Sequence, residues 1–226
     1  MDSILKKKKG FSLVELLVVI AVLTIIMGTA ALTMGTSLRD SRTRKAAYEF
    51  KAMLIDGSKN AMATYKQVIA EWSGSGVQMY EDGDASFSYD NGNDVMLAYF
   101  LADGSPTDPG RPAGLTGDYY FIPSVQIVTA LAGGGTTLDL SALYGTGFEN
   151  VPILDATAKI ILRPEGVNII KVGAVDYPAG LVSFRHVDDI DEETQERQYF
   201  VLITKTFIRV LKMQDDGTGN FVPMEL

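Results

Sequence analysis

Residues 6–15 read KKKKGFSLVE, and an apolar segment that extends to residue 32 follows without a break. The stretch begins with four lysines: Lys6, Lys7, Lys8 and Lys9. Residues 11–32 form a run of 22, and a helix of that length is about 33 Å long, close to the hydrocarbon thickness of a bilayer. Because lysine clusters beside such a helix stay on the cytoplasmic side, the sequence predicts a membrane-spanning helix with the rest of the chain outside the cytoplasm.

Glu15 is the one charged residue inside this apolar run. A secretory signal peptide also has a basic start and an apolar middle, and the small residues 29–31 would supply its cleavage site. A carboxylate at the centre of a bilayer costs about 2.5–3.5 kcal/mol on insertion scales, and less near the edge. Glu15 would therefore have no function in a secretory signal peptide. In a plain signal anchor, Glu15 would reach water at the cytoplasmic interface. Both alternatives stay open on the position of Glu15 alone.

The order of residues around Glu15 resembles the cleavage and methylation site of type IV pilins and of the pseudopilins of type II secretion. Gly10 and Phe11 are followed by a small hydroxyl residue, a leucine, an aliphatic residue and Glu15. In that family a membrane aspartyl peptidase, the prepilin peptidase, cuts after the glycine and methylates the new amino terminus. The resemblance covers residues 6–32 and implies that Gly10 precedes the cut, that Phe11 becomes N-methylated and that Glu15 aligns the subunit in a filament.

Such a cut would create a positively charged amine on Phe11 at the edge of the membrane or of a filament core. The carboxylate of Glu15 in a neighbouring subunit can neutralise this amine, because a buried pair is tolerable where either charge alone is strongly disfavoured. We therefore expect Glu15 to fix the axial register of a subunit more than it adds stability.

The chain of 226 residues has no cysteine, one histidine and a formal net charge of −8. Removal of residues 1–10 would take away four lysines and one aspartate, which changes the net charge to −11. Without disulfides, an extracytoplasmic head must be stabilised by its core alone. The composition also excludes a cysteine nucleophile and a His/Cys metal site. His186, at the end of a predicted strand, is expected to be a surface or edge side chain, and no catalytic residue is predicted.

The helix is predicted to continue beyond the apolar run, since the first proline of the chain is Pro106. Five apolar residues recur at spacings of three, four, seven and four, which places them on one helix face: Ala47, Phe50, Leu54, Ala61 and Tyr65. One helix from about residue 12 to residue 68 would be about 85 Å long. The buried face of this helix requires a partner in the rest of the chain.

The opposite face of the predicted helix is basic. It carries seven basic and three acidic residues: Arg39, Arg42, Arg44, Lys45, Lys51, Lys59 and Lys66, with Asp40, Glu49 and Asp56. Residues 67–226 contain nine basic and 23 acidic residues. Two interpretations stay open: a solvated helix face, or a surface that contacts lipid head groups, nucleic acid or the acidic heads of neighbouring subunits.

The middle of the chain is rich in turn signals. Acidic clusters at residues 81–84 and 90–94 predict turns. Bound calcium is the alternative, because loop carboxylates are the usual ligands of calcium. Neither cluster has the residue order of an EF-hand. Residues 95–101 predict a short helix or strand. Residues 103–157 are predicted to be a variable insertion with little regular structure.

The last part of the chain predicts a sheet. Six runs rich in β-branched and aromatic residues indicate short strands: 159–162, 168–172, 181–186, 198–204, 207–213 and 221–224. Their short links indicate one antiparallel sheet, which would pack on the apolar face of the helix. The predicted fold class is therefore α+β, with a long N-terminal helix on a C-terminal antiparallel head.

The predicted organisation has four segments. The leader, 1–10, is removed on maturation; 11–35 is the transmembrane or filament-core half of the helix; 36–69 is its amphipathic half; and 70–226 is the head, with its sheet at about 158–226.

Two further stretches bear on the type of subunit. Residues 202–210 resemble the final hairpin of minor pseudopilins of the H type and related minor pilins, where a Thr-Gly turn is usual, and Phe207 stands where glycine would be expected. This resemblance favours a minor subunit. The acidic loop 188–196 is interpreted as solvated, with a bound cation or basic partner as the alternative.

These patterns predict a pilin-like structural subunit of a type II secretion pseudopilus or a type IV pilus, and no cofactor. The resemblance implies four partners: the bacterial inner membrane, the prepilin peptidase, other pilin or pseudopilin subunits and the assembly platform. The head would lie in the periplasm or in an extracellular filament. Nucleic acid is not expected to bind, because the head is acidic. The alternatives are a minor pilin that acts as a tip adhesin or DNA-binding module, and a single-pass anchored protein with an unrelated head.

Overall fold

The first element among the described residues is one long helix, α1, at Leu13–Thr64. The computed structural model describes residues 12–74, 76–90, 92–113, 115–132, 134–190, 197–217 and 221–226. It divides into two compact units, residues 1–39 and 40–226, and α1 contributes residues to both. The second unit contains all the described strands together with residues 40–64 of α1, and we call it the head from here on.

Within the described residues, fourteen strands, one short α-helix and one 3-10 turn follow α1. In chain order they are β1 Gln67–Ser73, β2 Gly76–Asp82, β3 Val95–Leu101, β4 Asp118–Phe121, β5 Val125–Val128, β6 Thr137–Leu138, α2 Ser141–Tyr144, β7 Val151–Pro152, β8 Ala158–Leu162, β9 Asn168–Val172, β10 Val175–Tyr177, β11 Ala179–His186, the 3-10 turn Val187–Asp189, β12 Tyr199–Thr204, β13 Ile208–Asp215 and β14 Phe221–Glu225.

The strands form two large sheets and one small one. The seven-stranded sheet has the order β10-β9-β8-β1-β2-β3-β4, the five-stranded sheet has the order β14-β13-β12-β11-β5, and β6 pairs with β7. All pairs are antiparallel except β3 with β4, which are parallel. The predicted α+β class, a long N-terminal helix followed by an antiparallel-rich head, is confirmed.

The six predicted C-terminal strands all exist, but they do not form one sheet. β8 and β9 join the seven-stranded sheet, where β8 pairs with β1, whereas β11 to β14 form most of the five-stranded sheet. Every residue of β11 and β12 is buried, because one face of these strands packs in the core that contains α1 and the other packs in a second apolar cluster. A run of β-branched and aromatic residues predicts a strand but does not identify the strand with which it pairs.

The core joins α1 to both large sheets. The ring centroid of Phe50 lies 5.3 Å from that of Phe100 on β3 and 5.5 Å from that of Phe184 on β11. Four members of the predicted apolar helix face are fully buried, as expected: Ala47, Phe50, Leu54 and Ala61. The helix thus buries its apolar face against both sheets.

Tyr65, the fifth predicted member of this face, is 85% exposed. The helix ends at Thr64, short of the predicted end at residues 68–69, and Tyr65 has a left-handed φ of 56°, a conformation that a helix cannot continue. Val68 and Ile69 are buried in β1 instead. β-branched residues pack well on a pleated surface, which explains why a strand forms where the sequence predicted a helix.

The middle of the chain has more regular structure than the sequence indicated. Residues 95–101 form a strand, and β1, β2 and β3 are neighbours in the seven-stranded sheet. The region 103–157, predicted to have little regular structure, supplies β4 to one large sheet and β5 to the other. Each of these strands is only four residues long, too short for a periodic signal.

The hairpin of β12 and β13 forms without glycine. Ile203 pairs with Ile208 across β12 and β13, and the backbone N–H of Thr204 donates to the carbonyl of Phe207 at 2.9 Å. The hydroxyl of Thr204 accepts a hydrogen bond from the N–H of Phe207 at 3.0 Å. The Thr204 side chain therefore stabilises this turn, at which the hairpins of H-type minor pseudopilins usually have glycine.

β14 forms one edge of the five-stranded sheet, with Pro223 opposite Met213. The N–H of Leu226 donates to the carbonyl of Val210 on β13 at 3.1 Å. In an antiparallel pair, hydrogen-bonding residues alternate along the strand, so the backbone of Pro223 faces away from β13, on the open edge.

Candidate processing and assembly site

The predicted cleavage and methylation residues lie outside the described part of the chain. These are Lys6, Lys7, Lys8, Lys9, Gly10 and Phe11. The first described residue is Ser12, so the assignment of Gly10 and Phe11 stays a prediction.

Ser12 and Glu15 close the N-terminus of α1. The backbone N–H of Ser12 donates to Glu15 Oε2 at 2.9 Å, and the N–H of Val14 donates to Ser12 Oγ at 3.3 Å. This is a capping box, in which two residues satisfy donors that the helix itself cannot satisfy. The signature is legible in the sequence as S-x-x-E, but sequence reasoning assigned Glu15 only an intersubunit role. In the structure Glu15 caps its own helix.

The two oxygens of the Glu15 carboxylate have different surroundings. Oε2 accepts the Ser12 hydrogen bond, whereas among the described residues no hydrogen bond reaches Oε1. Glu15 is exposed. The Glu15 carboxylate can therefore cap its own helix through Oε2 and still accept a hydrogen bond at Oε1 from another molecule.

The first half of α1 has an apolar surface. All described side chains from residue 13 to residue 38 are exposed; Leu13 is 79% exposed, Ile25 69% and Met34 64%. The segment is long and apolar enough to cross a membrane by length and composition. Since this much apolar surface is unfavourable in water, the segment requires a bilayer or other helices around it.

The threonines of this segment are compatible with an apolar environment. Four hydroxyls donate to carbonyls of the preceding turn at 2.8–3.1 Å: Thr24 to Ala21, Thr29 to Ile26, Thr33 to Ala30 and Thr36 to Thr33. A hydroxyl that is satisfied within its own helix loses little on transfer from water. These residues therefore do not argue against a membrane location.

Asp40, the first residue of the head unit, holds α1 to the five-stranded sheet. Its Oδ1 accepts hydrogen bonds from the Tyr199 hydroxyl at 2.9 Å and from Lys212 Nζ at 2.8 Å. Lys212 Nζ also lies 5.2 Å from the centroid of the Tyr199 ring. Burial, followed by the nearby Asp40 carboxylate, raises the pKa of Tyr199 well above its ordinary value. We call these three residues the Asp40 cluster.

The Asp40 cluster overturns the prediction that Asp40 lies on the solvent face of the helix. Its partners are 159 and 172 residues away in the chain, and no local pattern reports so distant a contact. Lys66 also differs from the prediction, because it lies beyond the helix and pairs with Glu81 at 2.7 Å.

The remaining charged face of α1 is largely solvated. Arg42, Arg44, Lys45 and Lys59 are exposed. Lys45 pairs with Glu49 at 3.4 Å and Lys59 with Asp56 at 2.7 Å. Exposed pairs of this kind contribute less than about 1 kcal/mol to stability, so this face has no strong structural role within one subunit.

The two predicted acidic turns meet in space. Carboxylate oxygens of Asp82, Asp84 and Asp94 all lie within 4.8 Å of one another. The Asp94 carboxylate accepts the N–H of Gly83 at 2.9 Å and that of Asp90 at 2.7 Å, and hydrogen bonds from Ser86 lower the pKa of Asp84. These hydrogen bonds close the loop between β2 and β3, which explains why the three carboxylates lie close together. We assign no metal to them.

His186 ends β11 as predicted, but it is only 3% exposed, so the expectation of a surface or edge side chain is wrong. Its Nδ1 accepts a hydrogen bond from the N–H of Asp188 at 3.3 Å. Asp189 pairs with Arg197 at 3.0 Å. The rest of the predicted acidic loop, residues 191–196, lies outside the described residues.

Residues 5–31 match a family model described as the prokaryotic N-terminal methylation motif. The motif carries the type IV pilin and pseudopilin signal and indicates a pilin-like protein that prepilin peptidase processes. The family of this motif is structural and not enzymatic. No curated protein and no solved structure matches the chain.

Proposed function

We propose that this chain is the precursor of a structural subunit that prepilin peptidase cleaves after Gly10 and methylates on Phe11. The subunit then assembles through α1 into a type II secretion pseudopilus or a type IV pilus. One observation carries the proposal: the methylation motif at residues 5–31 leads directly into a helix whose apolar side chains are exposed.

The exposed apolar helix supports both stages of this path. Before assembly the helix would lie in the bacterial inner membrane, with the leader lysines in the cytoplasm and the head in the periplasm. After assembly the same surface would pack against equivalent helices of other subunits, guided by the assembly platform. The hairpin of β12 and β13 favours a minor subunit of the H type within this scheme.

The Glu15 carboxylate supports the proposed register. Oε2 is used by the cap, and Oε1 remains for the amine of Phe11 in a neighbouring subunit. Neutralising both charges makes their burial in a filament core tolerable. The cap and the intersubunit pair can exist together, so a subunit need not open its helix in order to assemble.

The amino terminus of the mature protein tests the cleavage step. We expect mass spectrometry of the purified protein to find N-methylated Phe11, and Gly10→Val to leave the leader attached. A mature chain that begins near residue 31, or one that retains Met1, would contradict the proposal.

Variants at Ser12 and Glu15 separate capping from charge neutralisation. Glu15→Gln keeps an oxygen that can accept the Ser12 N–H but removes the charge, since glutamine also serves in a capping box. Ser12→Ala removes the hydroxyl cap but keeps the charge. We expect Glu15→Gln to be cleaved normally and to assemble poorly, and Ser12→Ala to assemble, as measured by sedimentation of sheared filaments. Normal assembly of Glu15→Gln would remove the proposed role of Glu15.

A further inference from the structure

The five-stranded sheet presents an uncovered apolar surface beside α1. Tyr199 pairs with Lys212, and Lys212 pairs with Met224, so Met224 lies on the side of the sheet that Asp40 of α1 contacts. Val222 and Leu226 alternate with Met224 and share this side. Val222 is 43% exposed, Met224 42% and Leu226 45%. We call them the β14 ledge.

The β14 ledge continues an established helix-binding surface. On the neighbouring strands the same side of the sheet is buried in the core with α1, as at Val201 and Val210. Beyond Val210 and Lys212 this surface is open at β14, and a groove of about 540 Å³ lies there, lined in part by Lys212, Met224 and Leu226. Packed helices lie about 8–10 Å apart, so a second helix fits beside the first on a sheet that extends beyond it.

The chain itself contains a helix segment that matches the ledge. Met34 and Leu38 are 64% and 48% exposed and lie one helical turn apart, about 6 Å along the axis. Met224 and Leu226 are two residues apart on a strand, about 7 Å. The spacing lets both apolar side chains of the helix contact both apolar side chains of the ledge.

We propose that the β14 ledge binds α1 of a second copy of this chain, with Leu38 of that copy on Met224 and Met34 on Leu226. The inference rests on the proposed function, because it assigns a head-to-helix contact to the assembled subunits. It adds that each head packs on two helices: its own on β11 to β13 and that of a neighbour on β14.

Disulfide trapping between two tagged copies tests this contact, and the absence of native cysteine leaves no competing thiol. One full-length copy carries Leu38→Cys and the other carries Met224→Cys, so only an intermolecular disulfide joins the two tags. Val175→Cys replaces Met224→Cys in the control. Val175 is 54% exposed and lies on β10, an edge strand of the other large sheet.

We expect the Leu38→Cys and Met224→Cys pair to give about tenfold more mixed dimer than the control, since adjacent thiols react at a high effective concentration. A disulfide also requires Cα atoms within roughly 7 Å. As a second measurement, Met224→Lys should reduce the sedimentable fraction of assembled protein, whereas Val175→Lys should not.

The remaining outcomes overturn the inference in distinguishable ways. Assembled filaments with equal cross-linking of both pairs, or with none, would exclude the ledge contact and leave the proposed function intact. Cross-linking of Met224→Cys only to a different pilin-like protein would exclude a second copy as the occupant. If the protein neither loses its leader nor assembles, the proposed function fails and the ledge contact fails with it.

Discussion

Replacement of Asp40 by alanine should destabilise the head by about 2–3 kcal/mol. The larger part comes from Tyr199, which is 1% exposed, because its hydroxyl would lose its acceptor, and an unsatisfied buried hydroxyl costs about 1–3 kcal/mol. Lys212 adds less, since the side chains of Lys212 and Asp40 are 28% and 34% exposed, and ion pairs that contact solvent contribute about 1 kcal/mol or less.

Urea unfolding of the full chain in detergent micelles measures this loss through the fluorescence of Trp72, the only tryptophan. Asp56→Ala is the matched control, because Asp56 also pairs with a lysine, but both side chains are more than 60% exposed. It should cost about 0.5 kcal/mol or less.

The double variant Asp40→Ala with Tyr199→Phe distinguishes the two contributions. Removing the hydroxyl removes the unsatisfied donor, so we expect the double variant to recover about 1–2 kcal/mol relative to Asp40→Ala. If Asp40→Ala is no more destabilising than Asp56→Ala, or if Tyr199→Phe recovers nothing, the Asp40 cluster does not hold the helix to the sheet.

Phe50→Ala should lower the unfolding free energy by about 3–5 kcal/mol, because Phe50 is fully buried between both sheets; a loss below that of Asp40→Ala would contradict this position in the core. Burial and a hydrogen bond to Glu225 raise the pKa of Tyr144 from 10.0 to about 12. The contribution of Tyr144 to the free energy of unfolding is therefore fully present below pH 10 and is lost as the pH rises towards 12. Stability should fall less steeply over that range in Tyr144→Phe than in the parent chain. Identical stability profiles for the two proteins would refute the raised pKa of Tyr144. Ser12→Ala should increase hydrogen exchange at the Val14 amide, since a lost cap costs about 0.5–2 kcal/mol, and unchanged exchange would show that the cap is not formed.

The sequence predicted the features whose signals are local. The period of Ala47, Phe50 and Leu54 marked the buried face of α1, and runs rich in β-branched and aromatic residues marked the C-terminal strands. The contacts that organise the head are not local. Asp40 reaches Tyr199 across 159 residues, and β8 pairs with β1 rather than with its predicted neighbours in one sheet.

Two differences between the prediction and the structure have separate causes. The S-x-x-E order of Ser12 and Glu15 is a known capping motif. The apolar run that follows it favoured a membrane or filament role for Glu15 instead of a cap. The helix end at Thr64 had no such signal, because Tyr65 is neither glycine nor asparagine, the residues that usually adopt a left-handed conformation there. Tertiary packing of Val68 and Ile69 in β1 decides that boundary.

Pro223 restricts how one head can associate with another. It places a residue without an N–H in the middle of an open edge strand, where a strand from another molecule would otherwise find a donor. If heads are crowded together in the proposed filament, this edge offers one backbone donor fewer for the strand addition that leads to fibrous aggregates. Side-chain contacts, which form and separate reversibly, would then be favoured over backbone pairing at this edge.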